Sequence, residues 1–408
     1  MIKLKNYKVF LYGIILLGVV LFIFGSCALK KLIKVINYNE GQIVNLPDTF
    51  RVELPLLIDP TGYFCVDAHI NKEYDERFIL DTQCLTNLYK MDNLKEKATY
   101  WGEYPLIKGN SAGERVKNPL YYFNNFEITH LSFGKPFFWG IDSTEYTYQI
   151  MSRNVIGENT LSMLNWKFDL DNKKLILFGN KDSSLMLKET DGYIKISGGL
   201  GIKKIPISFP QIGYKENFTL DLGSTLDVNI DKRIFKILSK THPYRKIKTS
   251  IGYIYLFNNI KVQLGNMIID KCQVIHKPFL SNNYIGVPIM HHFNFILYYR
   301  DTHLDTPKDL YYQPNQNFNN YKSASLISDF GFNVSEKDGI ISAIEVDGIA
   351  DKAGLMLKDK VISIDDGAFN LENKVFLVER FIDYQSDKQN VNVRIERDGK
   401  TIDYQLNK

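Results

Sequence analysis

The chain has 408 residues, 45% of them hydrophobic and 24% charged, which is enough to build two or three separate cores. Its formal charge of +4 is small for that length, and no basic block is interleaved with aromatics beyond the N-terminus, so nothing in the charge pattern argues for a nucleic-acid partner. The 25 Tyr and 26 Phe point to strands more than to helical bundles.

Lys3, Lys5 and Lys8 precede Val9–Leu29, a stretch without a charge and about the roughly 20 residues needed to cross a bilayer. Two readings stay open. Gly25-Ser26-Cys27 resembles a bacterial lipoprotein cleavage site, with Cys27 the lipidated residue. Alternatively the segment is retained as a signal anchor flanked by Lys30, Lys31 and Lys34. Both tie residues 1–36 to a membrane and place the body of the protein in the cell envelope, outside the cytoplasm.

Strand signals begin after a connecting stretch at Val35–Asn45. Phe50–Ile58 and Tyr63–Ile70 flank Asp59-Pro60-Thr61-Gly62, a turn sequence. Next comes Phe78–Leu88, reading FILDTQCLTNL, in which a strand delivers Asp81 into a turn. Leu120–Ile128 and Leu131–Phe138 read as strands, then Asn154-Val155-Ile156-Gly157, then a hairpin over Phe168–Phe178 turning at Asp171-Asn172. Cys65, Cys84 and Cys272 form no paired or zinc-ligand spacing. Cys84 reads as a small packed residue, and His291-His292, inside an apolar run, as surface or core histidines and not as ligands.

The second half repeats this order. Ile205–Phe209 opens it, and Phe218–Ile230, reading FTLDLGSTLDVNI, delivers Asp221 into a turn as Asp81 is delivered. Phe123-Asn124-Asn125 matches Phe257-Asn258-Asn259, Gly134 matches Gly265, and Gly157 matches Gly286. The landmarks keep their order while their offsets drift, which is the mark of an internal duplication with loops of unequal length.

Asp81-Thr82-Gln83 and Asp221-Leu222-Gly223-Ser224 resemble the Asp-Thr-Gly-Ser/Ala loops of the pepsin and retropepsin superfamily. Ile156-Gly157 and Ile285-Gly286 resemble its hydrophobic-hydrophobic-Gly signature. The resemblance implies a mainly β protein with two closed, barrel-like lobes, residues 46–185 and 190–318, and a cleft between them. It implies Asp81 and Asp221 as a catalytic pair, one from each lobe, with Thr82, Gln83, Leu222, Gly223, Ser224, Gly157 and Gly286 supporting the loops. Two carboxylates at ~3 Å share a proton: one takes a proton from water while the other polarises the scissile carbonyl, with no metal or cofactor required. The chain departs from the pattern twice, with Gln83 in place of Gly and Leu222 in place of Thr. In the resembled fold both Thr hydroxyls cross-link the loops, and Leu222 has none.

Residues 324–408 are different in kind. Ala350–Asp359, reading ADKAGLMLKD, followed by Lys360–Asp366, resembles the core of a PDZ domain. Asp329-Phe330-Gly331-Phe332 resembles its carboxylate loop, with Asp329 in place of the leading Gly. The resemblance implies a groove helix over Glu372–Ile382, a closing strand over Val391–Arg397, and capture of a peptide C-terminus at Phe330, Gly331 and Phe332. Two functions stand together on these expectations: a membrane-tethered aspartic endopeptidase whose PDZ domain recruits a peptide or protein substrate, and a catalytically retired scaffold that binds peptides.

Overall fold

The computed structural model describes residues 49–103, 108–109, 115–116, 119–145, 147–148, 151–179, 183–197, 205–280, 282–299, 309–320, 326–335, 338–365, 367–368 and 388–408. The membrane segment with Cys27 and the expected groove helix lie outside these residues. Among the described residues no helix is long and apolar enough to cross a membrane.

Alternating apolar residues make strands, and the strands close on themselves. In the second lobe a ring runs Ile205–Phe209, Tyr214–Asp221, Tyr284–Gly286, Val228–Asn229, Met267–His276 and Gly252–Leu264, then returns to Ile205–Phe209. The first lobe repeats the circuit as Phe64–Ile70, Tyr74–Leu80, Asn154–Ile156, Asn87–Lys90, Phe137–Ile141 and Pro119–Tyr122. There the chain itself carries over to Phe126–Ile128, which pairs with Phe64–Ile70 and completes the ring.

The matched Phe-Asn-Asn landmarks explain that difference. A single strand is expected over residues 120–128, but it breaks at Phe123-Asn124-Asn125. The side chain of Asn71 accepts hydrogen bonds from the amides of Asn124 (3.0 Å) and Asn125 (3.2 Å) and turns the chain there. In the second lobe Phe257-Asn258-Asn259 is only a bulge within Gly252–Leu264, with Asn259 at φ +59°. The strand expected over residues 131–138 likewise breaks, into Leu131–Ser132 and Phe137–Ile141. Gly134, between them, has φ +64°, and its match Gly265 has φ +60°, a left-handed conformation that favours glycine.

Each half ends in a hairpin, Asn165–Asp169 with Lys174–Phe178 and Phe293–Tyr298 with Asp309–Pro314. The two hairpins pair with each other, and Arg51–Pro55 and Ile194–Ser197 flank them in one six-stranded sheet. At the seam Phe168 lies in register with Phe295, and their rings stack at 4.3 Å. One buried apolar cluster runs through both rings and this sheet, so the lobes share a continuous core.

The C-terminal domain joins lobe 2 by strand addition, which the sequence pattern does not announce. Ile341–Glu345 pairs with Arg245–Thr249, and Phe332–Val334 follows as the edge strand. These strands pack against a second sheet of Gly367–Ala368, Lys360–Ile364, Asn390–Arg397 and Lys400–Asn407, around buried Phe330, Phe332, Val361, Val393 and Ile395. The helix Ile349–Ala353 stops at Gly354, φ +93°. Ile247, Ile254, Leu256, Ile275, Ile327 and Ala343 seal the joint. Across it the guanidinium of Arg245 donates to both carboxylate oxygens of Glu345, at 2.8 and 2.5 Å.

Candidate active site

Two strands end at equivalent turns. Tyr74–Leu80 leads into Asp81, whose Oδ1 accepts hydrogen bonds from the amides of Gln83 (2.7 Å) and Cys84 (3.1 Å). Tyr214–Asp221 ends at Asp221, whose Oδ1 accepts from the Gly223 amide at 3.0 Å. Both are side-chain-to-backbone turns of the kind Asp favours. They hold the carboxyl groups at the turns and away from the strand ladders.

The two turns meet across the lobe boundary. Thr82 Oγ1 donates to the carbonyl of Leu220 at 2.9 Å and accepts from the amide of Leu222 at 3.1 Å. Gln83 Nε2 donates to the same Leu220 carbonyl at 2.8 Å. Gln83 therefore adds a cross-lobe bond from the position where the resembled pattern has glycine. Leu222 is fully buried and offers no hydroxyl in return. Full burial of a leucine side chain contributes about 1.5–3 kcal/mol. That exceeds the ~1 kcal/mol net of one neutral hydrogen bond, so Leu222 preserves the strength of the joint while changing its chemistry.

Three glycines allow the approach. A β-carbon on Gly223 would overlap the Asp81 carboxyl, lying 2.7 Å from its Oδ1 and nearer still to its other atoms. Gly223 thus touches one carboxyl through its Cα face and binds the other through its amide. Gly157 and Gly286 play matched supporting parts beneath the turns. A β-carbon on Gly157 would lie 2.5 Å from the carbonyl oxygen of Cys84, and one on Gly286 2.5 Å from that of Ser224. The residue after each glycine donates to that same carbonyl, Glu158 at 2.7 Å and Val287 at 2.9 Å.

Asp81 and Asp221 line one cleft of about 690 Å³ between the lobes. The lobe 1 wall includes Ile79, Leu88, Trp139, Ile141, Met151 and Val155; the lobe 2 wall includes Ser224, Thr225, Lys277, Asn282 and Tyr284. Leu326, at the entry to the C-terminal domain, borders it too. Three polar residues among those that sequence reasoning missed bear on the carboxyl pair. Tyr63 reaches from lobe 1 to a side-chain hydrogen bond with Thr225, and its pKa is raised by burial and then by the charges of Asp221 and Asp81. Tyr284 is raised by burial and by Asp221, while its bond to Ser224 acts the other way. Burial lowers the pKa of Lys277, and the Asp221 charge opposes that shift. Tyr63 sits just past the Asp59 turn, but the sequence carries no sign that it crosses lobes.

The other candidates lie outside this meeting point or support it. Cys84 lines the cleft with its thiol 2.8 Å from the carbonyl of Thr86, packed beside Leu88 and Val155. His291 bonds the carbonyl of Gly62 at 2.7 Å and stacks on Phe64, and His292 bonds the carbonyl of Asn317; burial lowers both pKa values. In the C-terminal domain Phe330 and Phe332 are buried core residues. The Gly331 amide donates to the carbonyl of Ser328 at 2.9 Å, and that of Phe332 to its hydroxyl at 3.3 Å. Asp329 is paired with Lys408 at 2.8 Å.

No family model and no curated protein matches the chain. Among solved structures it is similar to a retropepsin-like aspartic protease from Rickettsia conorii, with 17% identity over 33% of this chain and 98% of that one, TM-score 0.23. It is also similar to the protein named edgp, with 9% identity over 69% of this chain and 98% of that one, TM-score 0.41. Basic 7S globulin from soybean follows, with 8% identity over 69% of this chain and 99% of that one, TM-score 0.39. At such low scores these likenesses stand beside the geometry without adding weight to it.

Proposed function

We propose that the protein is a membrane-tethered aspartic endopeptidase in which Asp81 and Asp221 share one proton at the floor of the inter-lobe cleft. The observation that carries this reading is Gly223, which packs on the Asp81 carboxyl and binds the Asp221 carboxylate through its amide. With both carboxyl groups held against one glycine, a single shared proton relieves the repulsion that two like charges would meet there. The ionised partner takes a proton from water, and the resulting hydroxide adds to the scissile carbonyl as the protonated partner hydrogen-bonds its oxygen. Collapse of the tetrahedral intermediate breaks the C–N bond as a carboxyl delivers its proton to the amine. The C-terminal domain, read as PDZ-like, recruits peptide by adding it to the edge strand Phe332–Val334. With the Gly331 and Phe332 amides already bonded to Ser328, edge pairing is the favoured mode over capture of a terminal carboxylate.

The second reading, a retired scaffold that binds peptides, is favoured by the loss of one cross-lobe hydroxyl at Leu222. One experiment separates the two. Purified full-length protein is incubated with a peptide pool between acid and neutral pH, with and without pepstatin. Pepstatin-sensitive cleavage, abolished in Asp81→Asn and Asp221→Asn variants of unchanged circular dichroism, supports the enzyme. Absence of cleavage throughout that range would falsify it and leave the binding scaffold.

A further inference from the structure

Among the described residues lining the cleft, Lys277 is the one cation, against three acids, Asp81, Asp221 and Glu145. Its position is built with some care. The preceding His276 is buried, bonded through Nδ1 to the carbonyl of Ile230 at 2.9 Å and stacked on Phe235. The carbonyl of Lys277 accepts from the amide of Leu280 at 2.9 Å, which closes a turn with Pro278 at its second position. The backbone on both sides of Lys277 is therefore held.

Strand register identifies its counterpart in lobe 1. Val155 pairs with Leu88, and Leu88 with Trp139; Tyr284 pairs with Asn229, and Asn229 with Ile275. Two residues past Trp139 is Ile141, and two past Ile275 is Lys277. Both line the cleft, one apolar and one cationic. Among the described residues the Lys277 ammonium has no hydrogen bond or ion pair, although it feels the Asp221 charge. Glu145 is engaged with the Asp142 amide at 3.0 Å. An ammonium partly withdrawn from water without a partner is unfavourable, and an incoming carboxylate relieves that cost.

We propose that Lys277 is a specificity-determining residue that binds a carboxylate of the peptide in the cleft, so that the preferred substrate carries a negative group on the lobe 2 side of its scissile bond. This rests on the peptidase reading for the word substrate, but the binding itself does not. The carboxylate comes from an Asp or Glu side chain or from a free C-terminus, and the test separates these.

The test compares two fluorogenic peptide libraries, identical except for Glu or Gln at positions flanking the scissile bond, each with a free or an amidated C-terminus. Full-length wild type should prefer the negative peptides by about tenfold or more in kcat/KM, the usual range for a charged hydrogen bond. Lys277→Met, with Lys277→Gln as a second variant, should bring that ratio to about one. Lys277→Arg should keep it, and Lys277→Glu should invert it towards Lys-containing peptides. Sensitivity to Glu against Gln assigns the side chain; sensitivity only to amidation assigns the C-terminus. A ratio that persists in Lys277→Met, with cleavage intact, overturns the inference and spares the peptidase. If nothing is cleaved, fluorescence anisotropy of the same peptides decides: charge-selective binding lost in Lys277→Met upholds the inference while the peptidase reading fails. Binding indifferent to peptide charge overturns it.

Discussion

Lobe 1 presents Ile79, Leu88, Ile141 and Val155 where lobe 2, by strand register, has Thr219, Asn229, Lys277 and Tyr284. The two rings nevertheless keep the same amide-to-side-chain bonds at equivalent positions. Lys90 donates its amide to the Asn154 side chain at 2.8 Å, and Asp231 donates to that of Asn283 at 2.6 Å. Ring closure and glycine contacts depend on backbone geometry, which tolerates little change. Side-chain identity along these strands is less constrained and has diverged. Both cleft walls still mix polar and apolar residues, with Glu145, Thr147 and Ser152 on one and Leu226, Ile251 and Phe279 on the other.

The glycines give the harshest way to break this equivalence. Gly286→Ala drives a β-carbon against the carbonyls of Leu226 and Ser224, and Gly157→Ala against those of Cys84 and Thr86. Each should lose about 3 kcal/mol, the upper part of the overpacking range, because backbone atoms yield less than side chains. Chemical denaturation measures this, and near-equal losses would show that the two supports are equivalent. An unperturbed midpoint in either variant would show that its loop relaxes freely.

The cross-lobe joint is where the lobes differ most. Thr82→Val removes a donor to Leu220 and an acceptor for Leu222, and should cost about 1–3 kcal/mol with loss of peptide cleavage. Leu222→Thr exchanges buried apolar area for a hydroxyl, so it should lower stability slightly while preserving or improving kcat. If Leu222→Thr reduced kcat as much as Thr82→Val, the lobes would not be interchangeable at this point.

A smaller effect attends the C-terminal domain, which is carried on the lobe 2 strand Arg245–Thr249. Arg245→Met leaves Glu345 without its guanidinium and should cost about 1 kcal/mol, in the upper range of a partly exposed pair. The loss should shrink in high salt. Limited proteolysis of the joint reports whether the domain detaches.

The smallest effect is one of pH. His291, two residues past Ile289, ties lobe 2 to the Gly62 turn of lobe 1, and burial holds its pKa below the ordinary value near 6.5. The unfolded chain therefore binds more protons than the folded one as pH falls. The stability linked to this group is present above about pH 6.5 and is lost as pH falls through the folded value. Thermal melts should show a downward slope on the acid side that is shallower in His291→Gln. An identical slope in both proteins would place the acid sensitivity elsewhere.

Local chemistry made much of this protein legible. Asp in a turn after an apolar run and strand alternation act over a few residues, so the duplication and the Asp81 and Asp221 loops follow from the chain itself, while the two closed lobes were implied by the family resemblance. The breaks at Asn124 and Gly134 were not legible as breaks, because β-rich residues continue across them and only Asn71, 53 residues away, turns the first. The cross-lobe bonds of Thr82 and Gln83 join residues 137 to 140 positions apart. The reach of Tyr63 to Thr225, the pairing of Ile341–Glu345 with lobe 2 and the placing of Lys277 in the cleft are of the same kind. Each depends on where two distant backbones come to rest, and only packing of the whole molecule sets that distance.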